Sequence, residues 1–418
     1  MSNLENQRVR PAVASRYKFQ HILGSLIGRR FDHLLDGFSK GQLALTWPDG
    51  HTTLHGDFSA RGNENAQVVL HNFAPIRQML LSGENGFAES YLRGDWSTDN
   101  LQNLFRLFLN NEHNVDELTG GSWYSRLANS FRHGRNQNSL RGSRRNIEFH
   151  YDLGNEFYKL WLDPSMSYSS ALFRDGTESL HDAQIRKLDQ VVDYLEPRKG
   201  SRILEIGCGW GALAQHIAKS SGCRVDGISL SHEQLRYAQH HHTVSGSNNE
   251  GVLTRFLHQD YRKINGRFDH IVSIEMFEAV GEQYWRTYFQ KLGELLERGG
   301  TAVLQVITIA EERFDEYRAS PDFIQRYIFP GGMLPSKTRL QELISQSGFD
   351  LVQSDWFGQS YAQTLELWRD RFEHAAREVQ ELGFDDRFQR MWRYYLNYCE
   401  AGFRTERTDV GQLLLAKR

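Results

Sequence analysis

The short run Arg202 to Ile206 leads straight into three glycines on alternate positions, Gly207, Gly209 and Gly211, and then into a helix-forming stretch. This feature constrains the fold more than any other. Glycines let a backbone turn sharply from strand to helix and come close to a ligand. The alternation continues on either side. "RILEIG", "RVDGISL", "HIVSIEMF" and "TAVLQVITI" are short runs rich in β-branched residues, and helical stretches such as "EQLRYAQHHH" and "YWRTYFQKLGELLE" separate them. Strand and helix in alternation are the signature of a mostly parallel sheet with crossover helices, so the expected fold class is α/β.

The loop lacks both the third-glycine GxGxxG spacing and a P-loop lysine, which disfavours pyrophosphate as its ligand. With Glu205 in the strand just ahead of it, "LEIGCGWG" resembles the loop of class I S-adenosylmethionine methyltransferases. The resemblance implies a Rossmann-like sheet with cofactor contacts at Glu205, Gly207, Gly209 and Gly211, the glycines making room for the methionine end. The next strand ends in Ser229, Ser231 and Gln234, where many such folds carry an acid for the ribose hydroxyls. Asp260 and Tyr261 follow the strand after that. An acid beside an aromatic suits an adenine, accepting from the amino group and stacking on the ring, and strand ends are where this architecture binds ligands.

At 418 residues the chain is long enough for one large or two ordinary domains. A net charge of -3 implies no general attraction to polyanions, so nucleic acid is not an expected partner. Cys208, Cys223 and Cys399 show no CxxC spacing, which argues for a reducing compartment and against a disulfide frame or a zinc site. The N-terminus is polar, without the apolar core of a signal peptide. No window approaches the roughly 20 apolar residues of a membrane span. A protein of this kind acting on lipid is expected to be cytoplasmic and to work from the membrane surface.

Three segments are expected. Residues 1–118 form a smaller α+β domain. In it "GQLALTWPDGHTTLHGD" reads as a hairpin, with Leu43, Leu45 and Trp47 alternating and Pro48-Asp49-Gly50 at the turn. "QVVLHNF" reads as a strand, "IRQMLLSGENGFAESYLRGDW" as helix, turn and helix, and "NLQNLFRLFLN" as an amphipathic helix. Residues 119–146 form a linker carrying Arg132, Arg135, Arg141, Arg144 and Arg145. It is either a solvated connection or a loop that meets an anionic membrane surface, at about 1 kcal/mol per basic residue. Residues 147–418 form the catalytic domain.

Four segments in that domain, "HYDLGNEFYKLWLDPSMSYSSALF", "LEIGCGWG", "EMFEAVG" and "RYIFPGGMLPS", closely resemble the cyclopropane fatty acid synthase family. The resemblance runs from about Asn146 to Arg418 and includes "AQIRKLD" and "MWRYYLNYCEAGFR". It implies methyl transfer from S-adenosylmethionine to the cis double bond of an unsaturated acyl chain in membrane phospholipid. A carbocation forms, loses a proton and closes to a cyclopropane. In the family a bound bicarbonate is the base. The implied residues are Glu278 in "FEAVG", Tyr361 in "FGQSYAQTLELW", Ser170 in "YSSA" where the family has Cys, Gln305 in "QVI" where it has His, and Ile307. Ser170 and Ile307 would offer backbone N–H groups, and Tyr168 and Ser169 would lie beside the cofactor. Gln305 can donate a hydrogen bond but cannot take up a proton. Altered deprotonation would leave a methyl-branched or methylene chain, or a furan precursor, instead of a ring. The family also implies a homodimer, with the N-terminal unit as the place to pair, and a site on the inner face of the cytoplasmic membrane.

Two further readings stay open: N-methylation of a small amine, and a non-catalytic lipid-binding protein. The aromatics Tyr151, Phe157, Trp161, Tyr168 and Phe173 suit a wall facing cationic species, since π faces attract cations. Phe157 and Trp161 share a face at helical spacing and read instead as core. His240, His241 and His242 read as an exposed, frayed helix end, because consecutive residues do not share a face. No metal site is expected. "EERFDEYRASPDFIQRYIFPGGMLPS" reads as an insertion, its Phe314, Tyr317, Phe323, Ile324, Tyr327, Ile328 and Phe329 forming a lid over an acyl groove.

Overall fold

The structure is a computed structural model and describes residues 35, 37–56, 65–111, 153–245 and 251–418. Two compact units divide the chain, Met1–Ser122 and Trp123–Arg418. The segment expected as a linker, with its five arginines, lies outside the described residues, as does Tyr151.

In the first unit β1 (Gln42–Thr46) and β2 (Thr52–Gly56) form the expected hairpin, with Thr46 opposite Thr52. The Trp47 N–H donates to His51 C=O at 2.8 Å, and the Gly50 N–H closes the turn on Trp47 C=O at 2.9 Å. The period of two puts Leu43, Leu45 and Trp47 in the core. β3 (Asn65–Leu70) lies parallel to β1, and β4 (Trp96–Ser97) pairs antiparallel with β3. Between β3 and β4 runs α1 (Ala74–Arg93). The turn expected inside it shrinks to one residue, Gly83 at φ 58°, ψ -144°, and the helix resumes beyond the kink. α2 (Leu101–Asn110) is capped by Asn100, whose side chain accepts from the Asn103 N–H, and it buries Leu101, Leu104, Phe105 and Leu107.

The second unit opens with α3 (Asn155–Lys159) and α4 (Leu180–Leu195). Then follow β5 (Arg202–Ile206), α5 (Ala212–Ser221), β6 (Arg224–Ser229), α6 (His232–His241), β7 (Thr254–His258) and β8 (Phe268–Ile274). Next come α7 (Trp285–Leu295), β9 (Leu296–Ile309), α8 (Lys337–Gln346), β10 (Phe349–Trp356), α9 (Gly358–His374), α10 (Asp386–Arg404) and β11 (Thr408–Lys417). The sheet order is β10-β11-β9-β8-β5-β6-β7. Strands β9, β8, β5, β6 and β7 are mutually parallel, and β11 runs against both its neighbours.

The strands are apolar at consecutive positions because helices cover both faces. Ile203, Val225, Val272 and Val303 pack with Leu188, Val191, Leu213, Ile217 and Leu235 of α4, α5 and α6. Their sequence neighbours Leu204, Ile271, Ala302 and Leu304 face the other way, onto Tyr288, Phe289 and Leu292 of α7 and Leu340 and Leu343 of α8. Phe157 and Trp161 are fully buried, with ring centroids 5.9 Å apart, and both touch Trp392 of α10, as their core reading requires. α6 ends at His241, with His240 and His241 exposed. The insertion after β9 holds a short helix, Phe314–Ala319, and a π turn, Ile324–Ile328. Phe323 is buried there against Tyr394 of α10, with centroids 4.4 Å apart.

Candidate active site

β5 sits between β8 and β6, so the strand order reverses at its carboxyl end, the position where open α/β sheets bind ligands. Gly207, Gly209 and Gly211 all have left-handed φ values, 82°, 50° and 93°. A methyl on Gly209 would meet nothing within 4 Å, whereas one on Gly211 would sit 2.8 Å from Phe256 Cζ. The loop is thus packed from behind and open in front at Gly209. Beside it Glu205 is 3% exposed, and its Oε2 has no hydrogen-bond partner within the protein. Burial pushes this carboxyl up to about 8, against the pull of Lys187 and the Ala214 N–H. A backbone cradle with an unpartnered buried acid fits the amino-acid end of S-adenosylmethionine.

The remaining cofactor candidates line neighbouring strand ends. Ser229 donates to the Gln234 side-chain oxygen at 3.0 Å and accepts from the Ser231 N–H. Asp260 is clamped by Arg262, whose Nε reaches Oδ1 at 2.9 Å and Nη2 reaches Oδ2 at 2.6 Å. An ionised carboxylate keeps further lone pairs for an amino donor. Tyr261 is half-buried, edge-on to Tyr288 at 5.5 Å. Tyr168 hydrogen-bonds Tyr395 at 2.8 Å between hydroxyls, and the Ser169 hydroxyl accepts from Lys187 Nζ at 2.8 Å.

Three of the five catalytic candidates, Ser170, Gln305 and Tyr361, converge on a residue that sequence reasoning passed over, Glu275, and the other two, Glu278 and Ile307, pair with each other. Oε1 of Glu275 accepts from the Ser170 backbone N–H at 2.9 Å and from Gln305 Nε2 at 2.7 Å. Oε2 accepts from the Tyr361 hydroxyl at 2.7 Å. Glu278 Oε1 accepts from the Ile307 N–H at 2.6 Å, while its Oε2 has no partner. Burial and the neighbouring Glu275 push Glu278 up to about 8, so it is largely neutral at pH 7. Burial also raises Glu275, but its three donors and Lys187 oppose the shift. Gln412 of β11 donates to the Gln305 side-chain oxygen at 3.0 Å, which turns the Gln305 amide nitrogen toward Glu275.

These donors are the ones the resemblance reserves for bicarbonate. With the Ser170 N–H, the Tyr361 hydroxyl and the Gln305 amide ending on Glu275, and the Ile307 N–H on Glu278, the residues present do not fit a bound bicarbonate. Lys187 is the second residue missed. It is 1% exposed inside α4, and burial lowers it to about 8 against the attraction of Glu275, Asp163 and Glu205.

A doubly covered, mostly parallel sheet, a glycine cradle at its switch point and a buried acid beside the cradle define a class I S-adenosylmethionine-dependent methyltransferase. The family model described as mycolic acid cyclopropane synthetase matches residues 138–413. The tuberculostearic acid methyltransferase of Mycobacterium tuberculosis is 38% identical over 407 residues, 95% of this chain and 91% of its own length. The cyclopropane-fatty-acyl-phospholipid synthase of Escherichia coli is 35% identical over 365 residues, 85% of this chain and 89% of its own. The crystal structure of a mycolic acid cyclopropane synthase complexed with SAH and CTAB superposes with a TM-score of 0.60 at 31% identity, covering 66% of this chain and 98% of that one. The chain belongs to the cyclopropane synthase family.

Proposed function

We propose that this enzyme alkylates the cis double bond of an unsaturated acyl chain in membrane phospholipid and closes the product to a cyclopropane. Bound S-adenosylmethionine supplies an electrophilic methyl on its sulfonium. An alkene is a weak nucleophile, so the residues that hold it at near-attack distance contribute much of the rate. The carbocation it becomes must be kept from water and relieved of a proton. One observation carries the reading: a polar cluster with Ser170, Gln305 and Tyr361 buried and Glu275 and Glu278 partly open stands against the cofactor loop. A methyl on Gly207 would lie 2.8 Å from Met276, the residue next to Glu275. The buried rings of Trp161, Tyr158 and Trp368 surround Tyr168, with centroids 5.4, 5.5 and 5.4 Å away. They supply the π surface that suits cationic species.

No helix among the described residues is long and apolar enough to cross a membrane. The lipid is met from the surface, on the cytoplasmic face of the membrane. There the arginines of residues 119–146 attract anionic headgroups, and the N-terminal unit pairs two copies. Retention of a methyl or methylene branch is the second reading. It is favoured by Gln305, which donates within the cluster but cannot accept the departing proton.

Mass spectrometry of liposomes carrying cis-unsaturated phospholipid, incubated with the protein and S-adenosylmethionine, tests both. A gain of one CH2, about 14 mass units, establishes alkylation, and hydrogenation followed by gas chromatography separates ring from methylene. Turnover of a small amine with none on lipid would shift the reading to N-methylation. Cofactor binding with no turnover on either would shift it to a binding protein.

A further inference from the structure

We infer that the Glu275 carboxylate is the general base of this reaction, built into the chain at the place where the resemblance puts an added bicarbonate. The inference rests on the alkene-alkylation reading and deepens it. Three observations carry it. First, Glu275 follows the last residue of β8 with φ 48°, a left-handed conformation uncommon outside glycine, so the backbone departs from the strand at this residue. Local strain of this kind clusters at functional sites. Second, both carboxylate oxygens are oriented by donors from three separate elements: the segment before α4, β9 and α9. A base fixed from three sides is held in one geometry before substrate arrives. Third, its three donors and Lys187 act against the upward shift that burial imposes on its carboxyl. The groups that face it are Lys187 from α4, Tyr361 from α9 and Glu278 from the turn after β8. Glu278 by contrast has one donor, the Ile307 N–H, and burial beside Glu275 pushes it up to about 8, so the two carboxyls of the pair sit in different environments.

The step balances without another reactant. A C–H bond of the cationic acyl chain breaks, its electron pair forms the closing C–C bond of the ring, and the proton passes to a Glu275 oxygen. The resulting carboxylic acid returns its proton to solvent before the next turnover.

The test measures the full chain on dioleoyl phosphatidylglycerol liposomes in CO2-depleted buffer, with and without added bicarbonate. The native rate is expected to be the same in both. Glu275→Gln should lower the rate on the order of 10²- to 10⁴-fold, the usual contribution of a positioned base, and bicarbonate should not restore it. Glu275→Gly relieves the backbone and frees the three donors. It should lose the same factor in CO2-depleted buffer and regain rate as bicarbonate is added. Calorimetry with S-adenosylhomocysteine shows whether each variant keeps its fold. Line broadening of 13C-labelled bicarbonate should report binding to Glu275→Gly and none to the native chain, whatever the turnover. A native rate that depends on bicarbonate, or full activity in Glu275→Gln, would overturn the inference and leave alkene alkylation standing. A native chain that alkylates no alkene lipid in either buffer would overturn both.

Discussion

Two glycines in one loop differ in what lies behind them, and this separates cofactor binding from folding. Gly209 and Gly211 both have left-handed φ, so alanine at either position pays a backbone penalty of about 1–2 kcal/mol. At Gly209 nothing stands within 4 Å of the new methyl, so the penalty ends there. At Gly211 the methyl would meet Phe256 Cζ at 2.8 Å and Ala238 Cβ at 2.9 Å, adding about 1–3 kcal/mol of overpacking. Gly209→Ala should therefore lower Tm by roughly 2–8 °C, at about 2–4 °C per kcal/mol, and Gly211→Ala by distinctly more. Affinity should rank the other way. The methyl on Gly209 projects into the open front of the cradle, and a clash of about 1–3 kcal/mol there weakens S-adenosylhomocysteine about 5- to 150-fold. Differential scanning calorimetry and titration calorimetry on the two variants give both orders. Native affinity in Gly209→Ala would place the cofactor elsewhere and refute the cradle.

Glu205 has a native pKa near 8, above its ordinary value of 4.5, so the folded state holds an extra proton between these limits. Its stabilising share is complete below about pH 4.5 and fades as pH rises through 8. Glu205→Gln should flatten the fall in urea midpoint between about pH 5 and pH 8.5, with Glu278 retaining part of the slope. Phe157→Ala empties a fully buried site ringed by Phe372, Phe384, Phe388 and Trp392, and should cost about 3–5 kcal/mol by urea titration. Cofactor affinity measured well below the unfolding transition should stay native. Replacing Phe323 and Ile324 together by alanine should weaken turnover on liposomes more than S-adenosylhomocysteine binding. Equal loss of both would count against an acyl lid.

Much of this architecture is legible in the sequence because it rests on local periodicity. The alternation of Leu43, Leu45 and Trp47 around Pro48-Asp49-Gly50 yields the first hairpin in its observed register. The glycine run after β5, with Glu205 ahead of it, marks the strand-to-helix turn that falls at the switch point of the sheet. The two missed residues left weaker traces. Lys187 belongs to a stripe of Leu180, Ala183, Gln184, Leu188, Val191 and Leu195, so helical spacing already places its charge on the buried face of α4. Glu275 is an acid in "HIVSIEMF", whose other members read as a plain buried strand. Its role depends on partners 105, 30 and 86 positions away, at Ser170, Gln305 and Tyr361, and no short-range pattern encodes them. β10 and β11, which extend the sheet in antiparallel fashion, carried no motif of their own.

The position of β11 bears on how the protein is made. It follows every other described strand in sequence, yet it lies inside the sheet between β9 and β10. Until the ribosome has delivered it, both neighbours wait as unpaired edges, the kind of surface through which nascent chains associate wrongly. Gln412 arrives on this strand, and it bonds both Gln305 and the backbone carbonyl of Lys187. The strand that seals the sheet thus also sets the amide that holds Glu275, so the surroundings of that carboxyl are complete only once β11 is in place.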